Sequence, residues 1–200
     1  MKNLVVILIA VATFFVANQG MSQNPKNQFQ LTRIQGTGGE SSMTSGLDVK
    51  ITFQKQNQIL GGRANYQRVF AFYGYNLPEL KTQVLATGGY FLNAPWAGVQ
   101  VISSPAKNFT AIAWYGHGAH PLGSKFGWNP ESFFSYFAGF YQISERVTLS
   151  LAAQEFNGWM KLPGIKYSIP INGKYKIFTG VEYCLEKEEP YFSIGFTFSK

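Results

Sequence analysis

The sequence predicts an all-β fold, an antiparallel transmembrane barrel closed by about ten strands, with eight to twelve as bounds. Three observations point there. Much of the chain alternates apolar and small polar residues with a period of two. Charged residues are only 14% of the chain, against about 25% in ordinary soluble domains. Aromatic residues reach 16%, with 18 Phe and 11 Tyr. This composition excludes a disordered chain, which is poor in aromatics and rich in charge. A single cysteine, Cys184, excludes a disulfide scaffold and reads as a small apolar side chain. Only one apolar run exceeds about ten residues, so a helical membrane bundle is excluded too.

That run opens the chain. Residues 1–22 read as a cleavable signal peptide, with Lys2 as its positive start and Leu4 to Ala17 as its apolar core. The core is shorter than the roughly 20 residues of a spanning helix, and small residues follow at Gly20 and Ser22. Residues 23–45 read as an N-terminal periplasmic segment, with a short strand near Phe29 and Leu31 and then a Gly/Ser-rich stretch. The barrel is expected over 46–200.

Its first strand has Leu47, Val49, Ile51 and Phe53 on one face, with Asp48, Lys50, Thr52 and Gln54 on the other. Further strands are expected near 65–75, 82–91, 97–104 and 108–116. Segment 132–143 fits a helical stripe through Phe133, Tyr136, Phe137 and Phe140, but its aromatic content and Gly139 favour a strand. Val147, Leu149, Leu151 and Ala153 alternate with Thr148, Ser150, Ala152 and Gln154. Ile165, Tyr167, Ile169 and Ile171 alternate with Lys166, Ser168 and Pro170, and Asn172-Gly173 makes the turn. Tyr175, Ile177, Val181 and Tyr183 alternate with Lys176, Gly180, Glu182 and Cys184. The last strand is the clearest: Phe192, Ile194, Phe196 and Phe198 face one way, and Tyr191, Ser193, Gly195, Thr197 and Ser199 the other.

The polar face decides which side meets lipid. In a soluble barrel it faces water and carries many charges. Here it is mainly Ser, Thr, Gly, Gln and Tyr, which suits a narrow lumen, while the Phe, Ile, Leu and Val face suits lipid. A closed sheet also satisfies every backbone polar group in a bilayer. With the last strand ending in the periplasm, the tight turns near 144–146 and 172–173 fall on the periplasmic side. Segments 117–131, 157–163, 92–96 and 56–64 then fall outside, as does the short 186–190; the longer connection near 76–81 falls on the periplasmic side. By the same parity Lys50, Lys166, Lys176 and Glu182 point into the lumen. They suggest either an internal salt-bridge network that plugs it or a basic constriction that favours anions. Trp96, Trp128 and Trp159 fall in or beside external connections and read as interfacial anchors.

The signal peptide, the alternating strands and the terminal run Phe192-Ser193-Ile194-Gly195-Phe196-Thr197-Phe198 resemble the small outer-membrane β-barrel proteins of Gram-negative bacteria. The resemblance covers about residues 46–200 and is one of architecture, without a subfamily. It implies an outer-membrane location, outer-membrane lipid as surroundings and the barrel-assembly machinery as a partner that reads the final strand. Ser199-Lys200 after the last Phe departs from the family's terminal aromatic.

Chemistry is sparse. His117 and His120 are three apart, but only Glu131 lies within the same expected loop, so no metal site is expected and no cofactor is implied. Some barrels of this kind are lipid deacylases, acyltransferases or phospholipases, and the deacylases space their His and Ser as His-x-Ser. This chain has no His-x-Ser; Ser124, Ser132 and Glu131 are the nearest substitutes. Basic residues are scattered and form no cluster, so nucleic acid is not an expected partner. The leading expectation is an integral outer-membrane barrel without enzymatic activity, with a structural, adhesive or narrow-pore role. A soluble exported barrel that binds an apolar ligand is one alternative, and a barrel-borne lipid hydrolase or acyltransferase is another. The discriminating feature is the face that carries Phe192, Ile194, Phe196 and Phe198.

Overall fold

The structure is a computed structural model that describes residues 28–41, 44–65, 68–91, 94–118, 133–155 and 159–200. The signal-peptide segment 1–22 and most of segment 117–131 lie outside the described residues.

Twelve antiparallel strands form one closed sheet. They are β1 (Gln30–Ser41), β2 (Asp48–Lys55), β3 (Gln58–Ala64), β4 (Arg68–Leu77), β5 (Thr82–Phe91) and β6 (Ala94–Ala106). The second half comprises β7 (Phe109–Gly118), β8 (Phe133–Gln142), β9 (Val147–Glu155), β10 (Trp159–Pro170), β11 (Tyr175–Cys184) and β12 (Glu189–Ser199). Each strand pairs with its chain neighbours, and β1 pairs with β12 from Arg33↔Ser199 to Gly39↔Ser193. This seam removes both sheet edges, so no row of unpaired backbone groups is left at either edge. A two-residue bridge, Thr44–Ser45, extends the β1–β2 hairpin beyond the wall.

The start of β1, the C-terminus and the short turns lie at one end of the barrel. These turns are Gln56-Asn57, a 3-10 turn at Pro78–Leu80 closed by Lys81, Lys107-Asn108, 143–146 and 171–174. Short turns mark the periplasmic end of an outer-membrane barrel, and the long segment between β7 and β8 marks the extracellular end. At Asn172-Gly173 the expected two-residue hairpin is a wider turn. Asn172 Oδ1 accepts the N–H groups of Lys174 and Tyr175, each at 2.9 Å, and Ile171 N–H donates to Tyr175 O.

Two strands escape the sequence pattern. The barrel begins at Gln30 rather than at 46, because residues 30–41 close the seam instead of forming a periplasmic segment. On β1 the inner positions are Arg33, Gln35 and Thr37, but the outer positions after Ile34 are Gly36 and Gly38. A glycine row has no apolar alternation to read. Gly36 is nonetheless buried, because the Phe196 ring lies over it. The second missed strand is β3. Segment 56–64 is no external loop: it is a tight periplasmic turn followed by Gln58–Ala64, whose pattern Gly61-Gly62 interrupts. With both strands added, residues 48–55 run in the direction opposite to the one a ten-strand barrel gives them.

The glycines permit close approach of backbones. A Cβ on Gly98 would run into the Tyr115 carbonyl and come within 2.7 Å of Gly116 Cα, whereas one on Gly88 would meet nothing nearer than 3.7 Å. Gly98→Val is therefore expected to prevent closure at β6–β7, while Gly88→Ala folds. The faster gel mobility of an unheated folded barrel measures both.

The outer face is apolar. Phe192, Ile194 and Phe196 are 61%, 62% and 48% exposed, and Phe198 takes its register position on the same face. Aliphatic residues such as Leu151, Ile165 and Val99 form a band on this face. Tyr73, Tyr75, Tyr141 and Tyr175 border it toward the periplasmic end, and Tyr90, Tyr115, Trp159 and Tyr183 toward the extracellular end. Trp159 stacks on Phe137, with centroids 6.3 Å apart. Trp96 departs from the expected anchoring role. It turns inward onto Phe70 and Trp114, because its strand neighbours Pro95 and Ala97 take the outward positions. Trp128 lies outside the described residues.

Candidate functional site

The lumen is lined asymmetrically. On the β3–β8 side it is aromatic and aliphatic: Ile59, Phe70, Phe72, Leu85 and Trp114 form a buried cluster that Trp96, Ile102 and Tyr136 pack against. Trp114 Nε1 donates to Thr87 Oγ1 at 3.1 Å, so its polar edge is satisfied within the wall. A second, smaller cluster of Ala138, Ala152, Leu162 and Cys184 lines β8–β11.

The strands on either side of the seam are basic, and the basic stretch runs on into β3 and β4, where it borders the aromatic cluster. Six cations stand on inner-face positions: Arg33 (β1), Lys50 (β2), Arg63 (β3), Arg68 (β4), Lys166 (β10) and Lys176 (β11). The described carboxylates on the same face are Asp48, Glu182 and, at the extracellular rim, Glu189. Asp48 is 3% exposed and collects two of the cations. Arg63 Nε donates to its two oxygens at 2.8 and 2.9 Å, Asn65 Nδ2 donates at 3.2 Å and Arg68 Nη2 at 3.4 Å. Asn65 Oδ1 in turn accepts the Arg68 N–H at 2.8 Å, which fixes the β3–β4 connection beneath the extracellular mouth.

The other four, Arg33, Lys50, Lys166 and Lys176, have no carboxylate within 4 Å among the described residues. Lys50 Nζ lies 5.0 Å from the centroid of the Phe72 ring, and Lys166 Nζ lies 3.7 Å from that of Phe178. The phenyl faces offset part of the cost of holding ammonium groups away from bulk water. Arg33 is within electrostatic reach of both Lys50 and Lys166, and Lys166 of Lys176. The cations thus form a connected ladder across the β1–β12 seam. Among them, a closed salt-bridge network accounts for Arg63 and Arg68 alone.

Sequence reasoning singled out Lys50, Lys166, Lys176 and Glu182, and all four occupy inner-face positions. It missed Arg33, Arg63 and Arg68. Arg33 lies in the strand hidden by glycines, Arg63 within the segment 56–64 read as an external loop, and Arg68 in the strand expected near 65–75, whose faces were not assigned. The recoverable signal was the period-two recurrence of Arg33, Gln35 and Thr37 across from Lys50 and Asp48.

At the periplasmic end the lumen holds a cavity of about 470 Å³ whose lining includes Asn76, Lys81, Gln83, Ile102, Ser104 and Lys107. At the extracellular end, the Lys161 N–H donates to Glu186 Oε2 at 2.7 Å. That bond, with the Lys161 ammonium 3.8 Å from Oε1, holds the Glu186 carboxyl below its ordinary range.

His117 stands at the end of β7 on the outer face rather than in a loop, and its Nε2 is 2.7 Å from the Tyr115 hydroxyl. His120, Ser124, Glu131 and Ser132 lie outside the described residues. Among the described residues no three His, Cys, Asp or Glu side chains gather as a metal site.

No family model and no curated protein matches the chain. Solved structures do. The NanC porin is 11% identical with a TM-score of 0.54 over 86% of this chain and 100% of that one. The KdgM porin in complex with disordered oligogalacturonate is 10% identical with a TM-score of 0.53, over 86% and 99%. At such identity the likeness is one of fold. Together with the outward apolar band it identifies a small barrel of outer-membrane, porin-like architecture.

Proposed function

We propose that this chain is an integral outer-membrane channel with a narrow, anion-preferring lumen. The observation that carries the reading is the basic ladder: four inward cations lack a carboxylate partner among the described residues, and two more converge on Asp48. A ring of fixed positive charge in a narrow passage lowers the free energy of anions there and raises that of cations. Beside this wall the partly accessible Trp96 and Tyr136 border the aromatic cluster, so an anion with an apolar or sugar-like face would find a complementary surface there. The oligogalacturonate held by the KdgM porin is a solute of that kind, and acidic oligosaccharides are the first class to test. The soluble alternative needs its greasy face inward, and Phe192, Ile194 and Phe196 face outward instead. Of the residues that the enzymatic alternative would use, only His117 is described, on the outer face against Tyr115; His120, Ser124, Glu131 and Ser132 lie outside the described residues.

The test is the reversal potential of the reconstituted barrel across a potassium chloride gradient. The wild type should prefer chloride. Replacing Lys50, Lys166 and Lys176 together by Gln should lower the chloride-to-potassium permeability ratio several-fold, because Arg33 would be the one cation without a carboxylate left on that wall. A barrel that inserts and conducts with no charge preference would remove the anion-preferring reading, and one that does not conduct at all would remove the channel reading and leave a structural or adhesive role.

A further inference from the structure

The periplasmic end carries a pattern that the lumen does not explain. Each of its five turns holds or adjoins one cation: Lys55 at the end of β2, then Lys81, Lys107, Arg146 and Lys174, and Lys200 at the C-terminus adds a sixth. The acidic residues there are Glu79 and Glu145. Among the described residues, none of the six cations has a carboxylate within 4 Å. The described extracellular turn between β11 and β12 has the opposite balance, with Glu186, Glu188 and Glu189 around Lys187. The periplasmic cations also have apolar companions. Leu80, Ile143 and Ile171, in the same turns as Lys81, Arg146 and Lys174, are 67%, 58% and 61% exposed. Large aliphatic side chains at turn tips are costly in water and favourable in the interfacial layer of a bilayer. The turns lie directly below the ring of Tyr73, Tyr75, Tyr141 and Tyr175 and continue the lipid-facing surface.

We propose that these turns are seated in the inner leaflet and bind anionic phospholipid headgroups, forming a basic collar around the periplasmic rim. Aliphatic tips enter the acyl boundary while the neighbouring cations meet phosphate. An acidic soluble partner would account for the cations and leave Leu80, Ile143 and Ile171 unexplained. The inference rests on the outward apolar band and is independent of whether the lumen conducts.

The experiment uses the full barrel reconstituted in phosphatidylcholine vesicles with and without phosphatidylglycerol, followed by gentle extraction and measurement of retained lipid. The wild type should retain phosphatidylglycerol in preference to phosphatidylcholine. The triple variant K55Q/R146Q/K174Q leaves the cavity-lining Lys81 and Lys107 untouched. It should lose about tenfold or more of that preference at low salt, at roughly fivefold per cation near the surface. High salt should have the same effect on the unmodified protein, which keeps the test valid if the variant does not fold. Inorganic phosphate at matched concentration should not displace the lipid, because it lacks the acyl chains. Equal retention of both lipids by the folded wild type would overturn the proposal. So would displacement by free phosphate alone, or loss in the variant of binding to isolated peptidoglycan with lipid preference intact.

Discussion

Asp48→Ala is expected to destabilise the barrel by about 3 kcal/mol, the lower end of the 3–5 kcal/mol range for removing one partner of a buried ion pair. Arg68 is 5% exposed and would keep its charge with no carboxylate in reach, facing Arg63. Arg63 has a quarter of its side chain exposed and can turn toward water, which places the loss at the lower end. Asn65 would also lose the acceptor of its Nδ2, loosening the turn that carries Arg68. The measurement is the urea midpoint of unfolding from vesicles, read by gel mobility. Asp48→Asn should fall between wild type and Asp48→Ala, since it keeps a hydrogen-bond acceptor and loses the charge. Asp48→Ala combined with Arg68→Met should recover part of the loss, because the buried charge left without a partner is then gone. An Asp48→Ala midpoint no lower than that of Glu188→Ala, a change in an exposed turn, would mean that the network does not hold the extracellular mouth. In a channel that conducts, Asp48→Asn should also strengthen the chloride preference.

What was legible in the sequence was governed by side-chain alternation. From β9 to β12 most outward positions are bulky apolar or aromatic residues, with Ala153, Glu155, Lys161 and Thr179 as exceptions, and the strands, their facing and the periplasmic turns follow from period two. Where glycine takes an outward or inward position the pattern vanishes, although the hydrogen bonding does not. Gly36 and Gly38 hid β1, and Gly61-Gly62 hid β3. Neither strand is weakly built: β1 pairs on both sides, and Phe196 from across the seam covers Gly36. The contact that makes the strand possible is thus supplied by a residue about 160 positions away, which no local window contains. The site suffered in the same way. Lys50, Lys166 and Lys176 sit in alternating strands and could be assigned a face; Arg33, Arg63 and Arg68 sit in or beside the hidden ones. The sequence reading therefore had the basic lumen half assembled, and lacked the arginines that join Asp48 and bridge the seam.

Phe196 is both a lipid-facing residue and the cover of that seam, so Phe196→Arg should block assembly of the barrel. Arginine on the lipid face costs roughly 2–4 kcal/mol at the bilayer midplane and less toward the interface, where Phe196 sits beside Ile177 just inside Tyr175. Here the change also uncovers Gly36 opposite it and exposes the β1–β12 backbone pairing at the point where the sheet closes. The two effects act on the pairing that closes the sheet, so the expected outcome is loss of the heat-modifiable band and of membrane-associated protein. Phe196→Leu keeps an apolar side chain at the position and should assemble with a modest loss of stability. Thr197, the adjacent inner residue, is a poor control because it is buried between Gln35 and Lys176. Ser193, inward-facing and partly accessible, is the better one, and Ser193→Arg should assemble far more readily than Phe196→Arg. Equal assembly of the arginine variants at 193 and 196 would place both residues in water, and the outer face of β12 would then no longer be a lipid-facing surface.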